Sequence, residues 1–126
     1  MESKVFINHT HHNSENWSPA QLQAAEDYGT VVDIPSPDIE ASWDEQQVVA
    51  LAEEYAEKIV ALHPAGVLCQ GEFTYTYAVV QRLQKAGIPV MAACSKRQVE
   101  EITDKEGNTK RMSLFQFIRF RRYEKV

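Results

Sequence analysis

Three histidines fall within four residues, in the polar run Asn8-His9-Thr10-His11-His12-Asn13 that follows the apolar segment Lys4-Val5-Phe6-Ile7. An imidazole titrates near neutral pH and can act as a general base, worth about 10²–10⁴-fold to a reaction that needs one. A second stretch with chemical potential is Gly66-Val67-Leu68-Cys69-Gln70-Gly71-Glu72-Phe73-Thr74, where an apolar run passes through Gln-Gly directly into a helical pattern. The first amides of such a helix lack internal partners and, with the positive end of the helix dipole, make a seat for an anion. Gly71 would let a ligand approach the backbone closely. The third stretch is basic: Ser95-Lys96-Arg97, and Arg119 and Arg121 within Phe115-Gln116-Phe117-Ile118-Arg119-Phe120-Arg121-Arg122-Tyr123. Arginines beside aromatic rings grip phosphate and stack on bases. Plainer roles compete with each: His9 as a group bonding backbone at a strand end, His11 and His12 as exposed loop residues, and the arginines as charges that blunt an edge strand.

The elements that must position these residues can be read in order. Lys4 to Ile7 has the composition of a first strand. Ser18-Pro19-Ala20-Gln21 starts a helix, with a Ser N-cap, Pro at the first position and Gln three residues after the cap; it ends near Tyr28, with Gly29 as the stop. Thr30 to Ile34 is a second strand closed by Pro35-Ser36-Pro37. Ser42-Trp43-Asp44-Glu45 reads as a capping box opening the clearest helix, with Val48, Leu51, Ala52, Tyr55, Ile59 and Leu62 on one face. A third strand ends at Cys69, and a helix from about Thr74 to Ala86 carries a stripe of Phe73, Tyr77, Val80 and Leu83. Ile88 to Cys94 is a fourth strand. Residues 98–103 and 109–114 flank Asp104-Lys105-Glu106-Gly107-Asn108 as a β-hairpin, and period two in the final strand puts Phe117, Arg119, Arg121 and Tyr123 on one face and Ile118 and Phe120 on the other.

Strands alternating with helices predict an α/β fold with a parallel sheet covered on both faces, and ligands of such sheets bind beyond the carboxyl ends of the strands. The three polar segments at those ends, Asn8 to Asn13, Gln70 to Tyr75 and Ser95 to Arg97, would converge on one edge. The 126 residues make one domain: a βαβαβαβ core over 1–95, then a basic hairpin and terminal strand over 96–126. The net charge of −5 hides an asymmetry, with a net −9 in residues 1–95 and +4 in residues 96–126. That split favours a local anionic ligand over adhesion to long nucleic acid. No apolar run approaches the roughly 20 residues of a membrane span, and Met1-Glu2-Ser3-Lys4 does not open a signal peptide, so a cytoplasmic protein is expected. Cys69 and Cys94 read as core thiols of a reducing compartment. No metal or other cofactor is expected, since closely spaced histidines on one loop rarely complete a coordination shell.

Three motifs in order carry a family resemblance: Phe6-Ile7-Asn8-His9-Thr10, Gln70-Gly71-Glu72-Phe73, and Ile118-Arg119-Phe120-Arg121-Arg122-Tyr123. Together the chain resembles a small CRISPR-associated family of type III systems, the ring nucleases. The resemblance implies a small Rossmann-like (CARF-like) homodimer that binds cyclic oligoadenylate, chiefly the four-membered ring, and cuts it. Departures accompany it. Cys94-Ser95-Lys96-Arg97 stands where Thr-Thr-x-Arg is expected, Thr74 where Gly is expected, and Phe117 where a histidine is expected.

Metal-independent cutting requires the ribose 2′-hydroxyl in line with the adjacent phosphorus, a group that takes its proton, and cations or amides to hold the charge. Alignment alone accounts for on the order of 7–11 kcal/mol in favourable cases. On this sequence, read with that resemblance, Arg97, Arg119 and Lys96 are assigned to phosphate, joined by Arg121 on the same strand, and the Gln70-Gly71 backbone with Thr74 to a second phosphate, with Phe73 beside it as a ligand contact and Glu72 pointing away or acting on a hydroxyl. Asn8, Thr10 and Ser95 orient ribose hydroxyls, and His9 or His11 is the base. Two other classes stay open: a module that binds the same ring without cutting it, and an interaction protein of the type III machinery with no nucleotide pocket.

Overall fold

The computed structural model describes residues 4–126; the reading of Met1 to Ser3 lies outside them. Five strands, β1 (Val5–His9), β2 (Thr30–Asp33), β3 (Gly66–Cys69), β4 (Val90–Thr103) and β5 (Thr109–Arg122), form one sheet in the order β2-β1-β3-β4-β5. The first four run parallel and β5 is antiparallel to β4. Helices α1 (Pro19–Glu26), α2 (Glu45–Ala61) and α3 (Phe73–Lys85) connect them, making a mixed α/β architecture.

Strand alternation divides the core into two layers. Ile7, Val67, Cys69 and Val90 face α2 and α3, where Val48, Ala52, Ala56, Ile59, Tyr75, Ala78, Val79 and Leu83 close over them. Phe6, Leu68 and Met91 point to the other face, beneath Ala25 of α1, with Trp17, Tyr28 and Phe120 packed around them. Helix starts follow local chemistry. Ser18 accepts from the Gln21 amide with Pro19 at the first helical position, as the sequence predicts. The box opening α2 is set two residues later than the sequence reading: Asp44 is the N-cap, bonded reciprocally with Gln47. A carboxylate at the cap also suits the helix dipole.

Two expectations need correction on α3 and β4. The buried stripe of α3 is Tyr75, Thr76, Ala78, Val79, Val80 and Leu83, whereas Phe73 is 89% and Tyr77 67% exposed. The 3.6-residue period permits either phase, and burial of Tyr75 against His9 selects this one. The fourth strand and the hairpin are also not separate pieces: β4 runs unbroken through Ser95, Lys96 and Arg97, so these residues are mid-strand and form no terminal loop. A β-bulge between Cys94 and Ser95 leaves Ile118 without an opposite partner and reverses the alternation of β5 there. Phe117 therefore shares a face with Phe120, their rings 5.0 Å apart, and not with Arg119 as strict period two requires.

Beyond Ser95 the paired strands leave the core. At about 3.3 Å per residue, the stretch to Thr103 reaches roughly 25–30 Å outward. Apolar side chains are exposed on both of its faces: Val99 and Phe115 on one, Ile102, Met112 and Leu114 on the other.

Gly29 is required for space, not for a left-handed turn: a Cβ there would lie 2.5 Å from the Lys4 carbonyl oxygen, a backbone atom that cannot step aside. Gly29→Ala should therefore destabilise the fold by about 1–3 kcal/mol in urea titration, by parting β1 from the start of β2.

Candidate functional site

In the strand order β2-β1-β3-β4, neighbours of β1 on its two sides are reached by opposite excursions of the chain, and the crevice at the carboxyl ends of β1 and β3 is where such sheets take ligands. A cavity of about 490 Å³ lies there, lined by Thr10 and His12 after β1, Gln70 after β3, Ala93 and Ser95 on β4, Phe115 and Phe117 on β5, and Trp17, Ser18 and Gln21 at the start of α1. The bulge that turns Phe117 inward supplies one of its aromatic walls.

The floor is a hydrogen-bond network. Asn8, 2% exposed, donates through its amide to Asp33 Oδ1 at 2.7 Å and to the His12 carbonyl at 2.8 Å. Its oxygen accepts from Thr10 Oγ1 at 2.8 Å, and the His12 amide donates to that same Thr10 oxygen at 3.1 Å. Asp33 further accepts from the Ser14 hydroxyl at 2.7 Å and from its amide. Asn8 has both amide hydrogens committed, so it shapes the loop over residues 10–14 and does not address a ligand. Gln70 is also committed in part: its Oε1 accepts from the Ala93 amide at 2.9 Å, satisfying β4 where β3 has ended.

His9 is removed from the list of bases. It is wholly buried, with Nδ1 2.6 Å from the Ile34 carbonyl and Nε2 2.7 Å from the Tyr75 hydroxyl. A carbonyl only accepts, so Nδ1 carries the hydrogen and Nε2 takes the Tyr75 proton as acceptor. The lone pair a base would use is therefore occupied. Burial holds its pKa below the ordinary 6.5, against the Ile34 bond that raises it, with nearby His11 lowering it further.

The anion seat at the start of α3 is filled from within. Glu72 caps the helix, accepting from the Thr74 amide at 2.7 Å, the Tyr75 amide at 3.2 Å and the Thr74 hydroxyl at 2.6 Å. The Thr74 hydroxyl and amide bonds hold the Glu72 carboxyl below the usual carboxylate range. The Thr74 amide and hydroxyl and the Tyr75 amide thus already serve a carboxylate, the Gln70 amide donates to the His9 carbonyl, and Phe73 projects into solvent.

The basic residues are divided. Arg97 follows Ser95 on the cavity face of β4, opposite Phe115, and donates to Ser113 Oγ at 3.0 Å. Lys96 lies on the reverse face. Arg119 lines a separate groove of about 610 Å³ with Ala20, Gln23, Ala24, Asp27 and Tyr28 of the α1 segment, and Arg121, opposite Ala92, is on the face away from Phe120. The structure thus gathers Thr10, Gln70 and Ser95 in the cavity, sets Arg97 outside its lining on the same face of β4, and leaves Lys96, Arg119 and Arg121 elsewhere. It adds His12, from the three-histidine run, Phe115, from the run of aromatics and arginines, and Trp17, which no sequence motif singled out. The Cys69 thiol is buried and pushed up to about 12, so it behaves as core. Among the described residues no three His, Cys, Asp or Glu side chains are grouped to hold a metal ion.

Removing the Tyr75 hydroxyl should leave the buried Nε2 of His9 unsatisfied, so Tyr75→Phe should cost about 1–3 kcal/mol in denaturant titration. The pH dependence has a definite sign. The unfolded chain takes up a proton at His9 near pH 6.5 and the folded chain only at lower pH. Stability should be complete above that pH and fall on acidification through the interval below it, by up to about 1.4 kcal/mol per pH unit. His9→Gln should flatten that slope; an unchanged slope would contradict the assignment.

No curated protein is similar enough to this chain to be matched with it. A family model does match residues 4–121, nearly the whole chain, and the protein therefore belongs to the family described as the uncharacterized protein MJ1673 family.

Proposed function

We propose that the protein binds cyclic oligoadenylate, chiefly cyclic tetra-adenylate, and opens it by metal-independent attack of a ribose 2′-hydroxyl on the adjacent phosphate, switching off type III CRISPR signalling in the cytoplasm. The observation that carries this reading is the cavity at the carboxyl ends of β1 and β3. It combines polar groups suited to a ribose and phosphate, Thr10, Gln70 and Ser95, with three aromatic side chains suited to a base, Trp17, Phe115 and Phe117. The strand order is consistent with a Rossmann-like, CARF-like sheet. Arg97 stands at the cavity rim as the cation for the developing charge, and His12 replaces His9 as the proton acceptor. A four-fold ring suits a two-fold protein, and the projecting hairpin with apolar residues on both faces supports a homodimer.

One observation favours a second reading. No Lys or Arg lines the cavity itself among the described residues, which suits a module that binds the ring without cutting it.

Incubation of the protein with cyclic tetra-adenylate in excess EDTA separates the two. Linear di-adenylate, passing through a 2′,3′-cyclic phosphate, is the expected product. An intact ring that stays bound would establish the binding module, and an intact ring with no affinity would refute both. Phe115, 72% exposed, has little role in the core. Phe115→Ala should therefore preserve folding and weaken binding by about 1–3 kcal/mol in calorimetric titration, the value of one base stacked on an aromatic ring.

A further inference from the structure

Gln70 meets the cavity with a side chain whose direction is fixed. Because β3 ends at Cys69 while β4 runs on, the Ala93 amide is met by Gln70 Oε1, at 2.9 Å. An amide N–H only donates, which settles the carboxamide: its oxygen lies toward Ala93 and its nitrogen away from it. That nitrogen, Nε2, has no hydrogen-bond partner among the described residues. The one buried side-chain polar atom without a partner among those residues is Thr76 Oγ1, so Gln70 Nε2 is open to solvent, and the space it meets is the cavity of about 490 Å³ that Gln70 lines.

The two hydrogens on Nε2 can only be donated, so whatever Gln70 contacts must accept. The surroundings select among acceptors. The floor beside Gln70 is apolar, made by Leu68 and Ala93, and the walls include Trp17, Phe115 and Phe117. A phosphate oxygen on such a floor gives up its hydration for one neutral donor. A flat heterocycle instead buries its faces against the rings and presents acceptors at its edge. We infer that Gln70 is a base-reading residue, its Nε2 donating to an in-plane acceptor of a nucleobase stacked among Trp17, Phe115 and Phe117. On adenine the exocyclic amino group donates and the acceptors are ring nitrogens, so a ring nitrogen is the atom read. This narrows the polar role given to Gln70 above to a base contact, and it rests on the reading of the cavity as a nucleotide site.

Gln70→Glu tests the contact with little change of shape, because the carboxylate keeps an oxygen for the Ala93 amide and replaces the Nε2 donor by an acceptor. The variant should keep the urea midpoint of the native chain and bind cyclic tetra-adenylate about tenfold more weakly or worse. The native chain gives an independent readout through rings built with 1-deaza-, 3-deaza- or 7-deazaadenine, each lacking one ring acceptor. All rings carry 2′-fluorine in place of the attacking hydroxyl, so they stay intact, and EDTA is present throughout. One deaza ring should bind the native chain about tenfold more weakly than the parent ring and bind Gln70→Glu no worse than the parent does. NMR of the full chain follows the Gln70 carboxamide and the Trp17 indole, and both should move with the parent ring. A parent ring that moves the Trp17 indole but binds Gln70→Glu with native affinity would overturn the base contact and keep the adenylate reading. Three deaza rings that all bind the native chain like the parent would do the same, whatever the stability of the variant. If no adenine ring binds, while guanosine, cytidine or uridine monophosphate moves the Trp17 indole and the Gln70 carboxamide together, the adenylate reading falls and the base contact stands. If no nucleotide moves either signal, both fall.

Discussion

The imidazole of His9 ties the strand ends together. Its two nitrogens join the end of β1 to the Ile34 carbonyl just past β2 and to Tyr75 in the first turn of α3. Tyr55 of α2 packs against the same ring at 5.2 Å. One side chain thus sets the relative position of β1, β2, α2 and α3 at the edge where ligands of such sheets bind. A buried polar group of this kind is stable only with both nitrogens matched, so it tolerates little shift of its neighbours. That rigidity positions the loop over residues 10–14 and the Gln70-Gly71 turn.

The edge built on this anchor is more self-satisfied than an anion site of the simplest kind. Glu72 neutralises the start of α3, Asp33 and Asn8 organise the loop after β1, and Gln70 completes the hydrogen bonding of β4. The cavity at that edge is neutral and aromatic, and Arg97 stands outside its lining on the same face of β4. Recognition through shape, stacking and hydroxyl contacts is the mode such an edge supports, with charge supplied from the periphery. The acidic body and basic C-terminal segment fit that division, because most cations lie on the hairpin and final strand and not in the core.

Much of the architecture was legible because it rests on local rules. Ser18-Pro19 announced α1, the face from Val48 to Ile59 announced α2, and short apolar runs announced β1 to β3. The box opening α2 was misplaced because two overlapping cap sequences, Ser42 with Glu45 and Asp44 with Gln47, satisfy the same rule. Phe73 and Tyr77 were misread because apolar character without knowledge of the facing layer leaves the phase of a helix open. His9 was recognised as special, and one of its two weighed roles, bonding backbone at a strand end, is the one it has.

The sequence by itself determined the succession of strands and helices, the glycine turn between β3 and α3, and the concentration of positive charge after residue 95. These depend on periodicity, capping and composition, which act over a few residues. Only the tertiary structure decided that β4 continues into the hairpin, that a bulge opposite Ile118 turns Phe117 toward the cavity, and that His9 is spent on Ile34 and Tyr75 while Ser36, Thr76 and His11 meet at Gly71. Each of those depends on which residues from distant segments share a face. Strand register and burial set that, and one residue of slip would reverse it.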